Sequence, residues 1–486
     1  MTDSELPKTL PEAHALIRAL ITSVEKQARR IEELERRLGQ NSQNSSRPPS
    51  SDPPGTRPQP KERPSGRKPG GQPGHEGHER SLLPPEKVDR VEELWPERCE
   101  NCAHDLGREK LRDEIGEAAR HQVTEMPPVR PEVVEYRQHS QFCPKCYHTT
   151  TAELPPEVPI SSFGPRLQAV ASMLSGVYRL SKRSVKSLLL DLFGVEISLG
   201  AIIACEQRTS AALAEPVAEA HAYVQQQAVA NADETGWRER ARRAWLWVAV
   251  TAHVTIFLIH ARRGAVAAEK LLGRFAGILG SDRWCAYANY RLRRRQLCWA
   301  HLRRHFEAFA EYSGEAGTIG DALVLLTEKM FRYWHWVRDG TWARSTFQTR
   351  MRPLRKAIEV FLQRGRVCGQ PKVEATCREL LEYAPALWTF VRVRGVEPTN
   401  NASERALRTA VIMRKTSFGT HSENGSRFIE RMLSVVATLR QQNRDVLGYL
   451  VETCERALLG RRPRSLLPGG RIMTAQALAH AQVSSP

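Results

Sequence analysis

Three acids and four cysteines are the residues whose type and spacing point to chemistry. Asp233 lies in the string ADETGW, Asp282 closes GILGSD, and Glu404 falls at the start of a much later helical stretch. Carboxylates are the side chains that hold hard divalent cations such as Mg²⁺. Two such ions, about 4 Å apart, steady the attacking and leaving oxygens when a phosphoryl group is transferred. Each acid also has an ordinary local explanation. Asp-Glu-Thr-Gly suits a turn, Asp often ends a strand, and Asn401 with Glu404 three residues on suits a capping box. Their meaning comes from their order along the elements that carry them.

The cysteines fall into two C-x-x-C pairs, Cys99/Cys102 and Cys143/Cys146, while the other six of the ten are scattered. A C-x-x-C turn presents two thiolates from one tight loop, and two such turns match the four soft ligands of tetrahedral Zn²⁺. The expected site holds one structural zinc ion and leaves no open coordination position. A β-rich excursion over 123–142 is expected between the pairs. So few cysteines in so long a chain favour a metal site in a reducing cytoplasm over a disulfide scaffold.

The elements around the acids read as follows. AVANADETGW is a strand expected to end in a turn, and AWLWVAV and TIFLIHA form a hairpin joined near Ala252 and His253. A helix follows over 265–276, then a short strand ending at Asp282. RRRQLCWA offers a fifth strand and LRRHFEAFAEY a helix. Three strands, a helix, a strand and a further strand or helix is the order of an RNase H-like core. In that order the first acid sits on the first strand, the second ends the fourth, and the third comes from a later helix. Residues 306–395, helical and Trp-rich, interrupt the core as an insertion.

Charge gives these acids a partner. The chain has 486 residues, and 72 Lys and Arg against 54 Asp and Glu leave a net charge of +18. Such an excess favours a polyanion. Arg293, Arg294, Arg295, Arg303 and Arg304 crowd the stretch after Asp282, and Arg408 and Lys415 follow Glu404. Phosphates are held by Arg and Lys while acids hold metal. Trp284, Tyr287, Tyr290 and Trp299 are candidates for stacking on bases, although core packing is the commoner fate of such residues. Upstream, residues 160–225 read as helix, turn, helix, with Ser181 and Ser198 at N-cap positions and Gly194 at a helix stop. With Lys182, Arg183 and Lys186 exposed, this resembles a helix-turn-helix DNA reader. Residues 8–39 carry Leu10, Ile17, Val24, Ile31 and Leu38 at heptad spacing, with Leu20 and Leu34 between them, which suits a coiled coil. A Pro/Gly/Ser-rich basic linker follows over 40–85. The polar, acidic N-terminus does not read as a secretory leader. The apolar run 245–261 contains two histidines and reads as strands rather than a membrane span. No phosphate-binding G-x-x-x-x-G-K-[ST] loop appears.

Taken together, these motifs resemble the insertion sequence 66 transposases of the DDE class. The resemblance rests on NSSRPPSSDP and RKPGGQPGHEG in the linker, both C-x-x-C pairs, and ADETGW. SDRWCAY, LCWAHLRRHF, NNASERALR and RKTSFG continue it, in the same order. It implies an RNase H-like catalytic domain, two Mg²⁺ (or Mn²⁺) ions, and Asp233, Asp282 and Glu404 as catalytic metal ligands. For Glu404 the NNASERALR match carries most of the weight. The resemblance also implies recognition of terminal inverted repeats and helper proteins encoded by the same element. Where the family often has Gly-Tyr after the second Asp, this chain has Arg283-Trp284. Water attack would release a 3′ hydroxyl at the element's end, and that hydroxyl would then attack target DNA.

The expected architecture is multidomain α+β: an RNase H-like mixed β-sheet flanked by helices, with an α-helical insertion, a small zinc-binding domain, a helix-turn-helix-like helical region and an N-terminal coiled coil. Expected boundaries are 8–39, 40–85, 86–158, 160–225, 226–460 and a tail over 461–486. Expected partners are double-stranded DNA (element ends and target), further copies of the chain and the helper proteins, with no membrane. The expected location is the bacterial cytoplasm at the nucleoid. A zinc-containing DNA-binding regulator explains the charge and the cysteines but not the ordered acids. A hydrolytic nuclease on the same fold explains the acids but never joins ends.

Overall fold

The computed structural model describes residues 9–38, 82–106 and 118–470. Most of the linker and the last sixteen residues of the expected tail, 471–486, lie outside the described residues. By internal contacts the chain divides into residues 57–132 and the remainder.

In the smaller unit, the Leu83 backbone is clasped by side chains: its N–H donates to Gln122 Oε1 (2.7 Å), and its carbonyl accepts from Gln122 Nε2 and Arg120 Nη2. The first cysteine pair sits in a closed turn. Cys99 N–H donates to the His104 carbonyl and Ala103 N–H to the Cys99 carbonyl, both at 2.9 Å, with Ala103 at φ 56°.

In the larger unit α1 (Leu10–Leu38) is one long helix, with its heptad residues exposed. Two short strands, β1 (Ser140–Phe142) and β2 (Thr149–Thr151), pair antiparallel around the second cysteine turn. That turn, which carries Cys143 and Cys146, repeats the first: Cys143 N–H donates to the His148 carbonyl, Tyr147 N–H to the Cys143 carbonyl, and Tyr147 takes φ 60°. The four thiols are free. Cys99 and Cys143 are half-buried, and Cys102 and Cys146 are exposed. For Cys146 the reason is local, because every residue of β1 and β2 is itself exposed and nothing is buried around the turn. The expected β-rich excursion is corrected, since residues 123–139 form no strand. Pro128 and Pro131 remove backbone donors that a ladder would need.

Four helices follow: α2 (Pro165–Gly176), α3 (Lys182–Phe193), α4 (Leu199–Ala212) and α5 (Ala214–Gln225). Ser181 Oγ caps α3 by accepting from Ser184 N–H, Ser198 Oγ caps α4 through Ala201 N–H, and Gly194 closes α3 at φ 65°. Val185, Leu189, Ile197, Ile202 and Cys205 bury a small apolar core of their own.

The central sheet has five strands: β3 (Val229–Glu239), β4 (Arg242–Val250), β5 (Thr255–His260), β6 (Ile278–Ser281) and β7 (Arg295–Leu297), in the order β5-β4-β3-β6-β7. The first three pair antiparallel, whereas β6 runs parallel to β3 and β7 parallel to β6. The parallel step from β5 to β6 uses α6 (Ala265–Leu272). This mixed sheet with its helices is consistent with an RNase H-like fold. One local expectation fails. Asp-Glu-Thr-Gly is not a turn, because β3 runs through it in register with β4 and turns only after Glu239. The buried cross-strand pairs Trp237 with Ala244 and Thr235 with Leu246 outweigh the turn propensity of the short string.

Seven helices cover or extend the sheet before the last two: α7 (Trp299–Ala310), α8 (Gly314–Arg338), α9 (Arg344–Gly365), α10 (Pro371–Glu382), α11 (Ala384–Leu387), α12 (Thr389–Arg392) and α13 (Asn401–Ser417). α7 to α12 enclose a second apolar core built around Trp299, Phe306, Phe347, Trp388 and Phe390. Gly320 lets α8 approach α7, since a Cβ there would lie 2.2 Å from Ala310 N. The last two helices are α14 (Glu423–Gln441) and α15 (Val446–Leu458). α14 closes the sheet edge. Thr438 Oγ1, Ser434 Oγ and Glu430 Oε1 accept the outward N–H groups of Thr255, Phe257 and Ile259. Four residues of helix rise about 6 Å and two of strand about 6.6 Å, so the two ladders stay in step. Among the described residues, no helix is long and apolar enough to cross a membrane.

Candidate active site

The parallel pairing of β3 and β6 sets the first two acids side by side. Asn231 pairs with Gly280, so two residues further along Asp233 faces Asp282, just past the end of β6. Parallel neighbours in register point to the same face, about 4.8 Å apart. Gly280 makes room for the Asn231 side chain on the neighbouring strand, because a Cβ there would lie 2.2 Å from Asn231 Oδ1. The backbone around Asp282 is held from three sides. Its Oδ1 accepts from Trp284 N–H (2.9 Å), and its carbonyl accepts from Ser281 Oγ and Arg295 Nη2.

Glu404 arrives on the first turn of α13. Asn400 caps that helix without a side-chain cap bond, so the capping box that Asn401 and Glu404 suggest does not form. Both ends of α13 are tied down instead. At its start Asn400 N–H donates to Cys298 Sγ (3.4 Å), and the Pro398 carbonyl accepts from Trp299 N–H. Along its length Arg414 Nη1 donates to the Gly236 carbonyl on β3 (2.5 Å). Past its end Phe418 turns left-handed, Gly419 takes φ 107°, and Thr420 bridges to β3. A Cβ on Gly419 would sit 2.2 Å from the Arg238 carbonyl oxygen, so only glycine fits this close approach. The RKTSFG string is therefore a clamp that sets where Glu404 stands.

The electrostatics agree with one shared cluster. Burial first, then the charges of Glu234, Asp282 and Glu404, push the Asp233 carboxyl well above its usual range. Glu234, behind it, is pushed up to about 7 by burial and Asp282, against the pull of Arg263. That carboxylate is held by Arg263 (3.0 Å) and the Tyr287 hydroxyl (2.8 Å). The Arg263 guanidinium lies over Trp284 at 3.9 Å and Trp245 at 4.7 Å. This stack braces the Asp282 loop from below. Opposite, His301 Nδ1 stands 3.5 Å from Glu404 Oε1, and neither atom has a hydrogen-bond partner among the described residues. Burial lowers the imidazole pKa, with Glu404 opposing the shift. Cys298 Sγ lies within 4.8 Å of both ligand atoms, and burial raises its thiol to about 12. Mutually repelling carboxylates and two orphaned buried polar atoms fit a site completed by divalent cations.

The expected DNA-contacting residues fare unevenly. Arg183, Lys186, Arg293, Arg294, Arg408 and Lys415 are exposed. Arg304 is half-buried. Lys182 is committed to Glu206, and Arg303 to Glu307 and Glu328. Arg295 is a correction. It is fully buried, with its guanidinium on Ser281 and Asp282, because β7 turns it inward under the acid. Tyr287 and Trp299 are likewise fully buried and cannot stack on bases. Sequence reasoning missed His301 and Cys298, although LCWAHLRRHF contains both. Their signal was the three-residue spacing at a helix start, directly after a strand.

A mixed sheet that gathers two aspartates from parallel neighbours and a glutamate from a covering helix defines the class of carboxylate-site nucleic-acid phosphoryl transferases. The comparisons narrow this. A family model described as Transposase IS66 family matches residues 162–427, more than half of the chain and the span in which all three acids lie. The chain belongs to the IS66 family of transposases. Residues 2–81 match a second model, for a family of unknown function (DUF6444). An uncharacterized protein of Sinorhizobium fredii (strain NBRC 101917 / NGR234), y4qI, is 27% identical over 245 residues. The match covers 46% of this chain and 45% of that relative, so the chain spans less than half its length.

Proposed function

We propose that this chain binds the terminal inverted repeats of a mobile element and catalyses metal-dependent DNA strand cleavage and strand transfer. The observation that carries the reading is the convergence of Asp233, Asp282 and Glu404 in a chain of the IS66 family. Those three acids would hold two Mg²⁺ or Mn²⁺ ions, which supply positive charge to the attacking and leaving oxygens. The chain's own residues do the rest. Asp233 and Asp282 fix the cluster on the sheet, Arg295 and the Arg263 stack keep the Asp282 loop in place, and the α13 clamp sets the reach of Glu404. Exposed Arg183, Lys186, Arg293, Arg294, Arg408 and Lys415 would grip phosphates, with α2 to α4 reading the element's end. Copies associate through α1, helper proteins of the same element assist, and the reaction takes place on DNA in the bacterial cytoplasm.

Inverted repeats flanking the gene supply the substrate for a test. Pre-cut end oligonucleotides, mixed with plasmid and Mg²⁺ or Mn²⁺, are expected to become joined to the plasmid. Asp233→Asn is expected to keep end binding and lose joining by at least about a thousandfold. Nicking without joining favours a hydrolytic nuclease, and unchanged function in the Asp233 variant favours a regulator; either outcome rejects the proposal.

The cysteine turns are proposed to hold zinc. In each, two backbone N–H groups and the second thiol, Cys102 or Cys146, point at the first sulfur, which lowers the pKa of Cys99 and Cys143. Such turns favour thiolate and hence metal. The exposure of Cys102 and Cys146 leaves both sulfurs open to an incoming ion. Metal analysis of the reduced full chain is expected to find zinc, which Cys99→Ser with Cys102→Ser lowers, as does Cys143→Ser with Cys146→Ser. Folded, active protein without zinc rejects the assignment.

A further inference from the structure

The carboxylates described above leave a neighbouring nitrogen without a role. β7 extends the parallel pairing by one strand, with Ser281 opposite Leu297 and Cys298 N–H donating to the Ser281 carbonyl. The residue after each of these strand ends therefore lies at the same rim of the sheet. Asp282 leaves from one and Cys298, opening α7, from the other. Because Asn400 N–H donates to Cys298 Sγ and Trp299 N–H to the Pro398 carbonyl, the first turns of α7 and α13 lie together. Each turn delivers one side chain to the same point, His301 from α7 and Glu404 from α13.

We propose that His301 is a further metal ligand of the catalytic site, sharing with Glu404 the ion on that side and making the donor set three carboxylates and one imidazole. The geometry is the main argument. His301 Nδ1 and Glu404 Oε1 are 3.5 Å apart, too far for a good hydrogen bond. Two donors about 2.1 Å from one ion, set 90–110° apart, lie about 3.0–3.4 Å from each other. Both atoms are buried and unpartnered among the described residues, which is costly unless a third body sits between them. Cys298 acts differently. Its sulfur already accepts the Asn400 N–H, so it is a positioning residue that holds α13 against α7. An imidazole donor also shifts preference from Mg²⁺ towards Mn²⁺ and later transition metals.

The inference rests on the carboxylate site proposed above, and the two can fail separately. The probe is Mn²⁺ alone, added to the full chain and read by electron spin echo envelope modulation. The expected result is nitrogen modulation on the bound Mn²⁺ that changes from the ¹⁴N to the ¹⁵N pattern when the protein is grown with ¹⁵N-histidine. That comparison needs no substitution and so is immune to misfolding. His301→Asn is expected to abolish the modulation and weaken Mn²⁺ binding about tenfold or more, while His305→Asn, one turn further along α7, retains both. Bound Mn²⁺ without nitrogen modulation overturns the proposal, as does modulation that survives in a folded His301→Asn protein. The carboxylates are read independently: Asp233→Asn should weaken Mn²⁺ binding. If it does and nitrogen coupling is absent, only the His301 assignment falls. If Asp233→Asn leaves Mn²⁺ binding unchanged, the catalytic site itself is misplaced and the His301 assignment falls with it.

Discussion

Arg293 and Arg295 lie two residues apart in one basic run, yet the fold gives them opposite tasks. Arg293 is exposed just before β7, whereas Arg295 is fully buried and donates to the carbonyl of Asp282. Sequence alone could not separate them, because charge reports affinity for phosphate but not which way a short edge strand turns its side chains. Their substitutions should therefore differ in kind. Arg293→Ala is expected to lower the slope of log affinity against log salt by about one, with strand transfer otherwise intact. Arg295→Lys is expected to leave that slope unchanged, because it removes no phosphate contact. It should instead reduce joining and destabilise the fold, since the shorter lysine cannot place its ammonium where Arg295 Nη2 meets both Ser281 and Asp282. Filter binding across a salt series, paired with a joining assay, checks both. Equal salt slopes for the two variants would show that the burial argument fails.

At the scale of elements, legibility followed how local the determining interaction is. Caps at Ser181 and Ser198, the stop at Gly194 and the β4–β5 hairpin were readable because a few adjacent residues decide them. The turn wrongly expected at Asp-Glu-Thr-Gly shows the reverse, a local propensity overruled by nine residues of cross-strand pairing. Glu404 was legible only through a family motif, because its placement depends on contacts from Cys298 and β3 that are distant in sequence. The edge ladder of α14 was not legible at all. Glu430, Ser434 and Thr438 recur every four residues on a face that otherwise packs as core, and nothing local says that they meet strand N–H groups. Ser434→Ala tests that ladder. It strips the acceptor from the buried Phe257 N–H, for an expected loss of about 1–3 kcal/mol in denaturant unfolding. An exposed control, Ser187→Ala, should change stability by less than about 0.5 kcal/mol. If the two variants unfold alike, the edge is held by packing alone.

At the scale of the whole molecule, a net charge of +18 secures contact with DNA but does not bring two ends together. Joining needs both ends of an element in one complex, and linking two binding chains makes capture of the second end an intramolecular event. α1 is the proposed means. Leu10, Ile17, Val24, Ile31 and Leu38 form one seam down the helix and all are exposed, which costs solvation unless a second copy covers them. Val24→Lys with Ile31→Lys, in the full chain, places like charges in the middle of that seam. Light scattering at fixed concentration is expected to show the mass falling to that of a single chain. Binding of one end should persist, because the phosphate-contacting residues are untouched, while complexes containing two ends disappear. An unchanged mass, or paired-end complexes formed by single chains, would remove α1 from assembly and require another surface to bring the ends together.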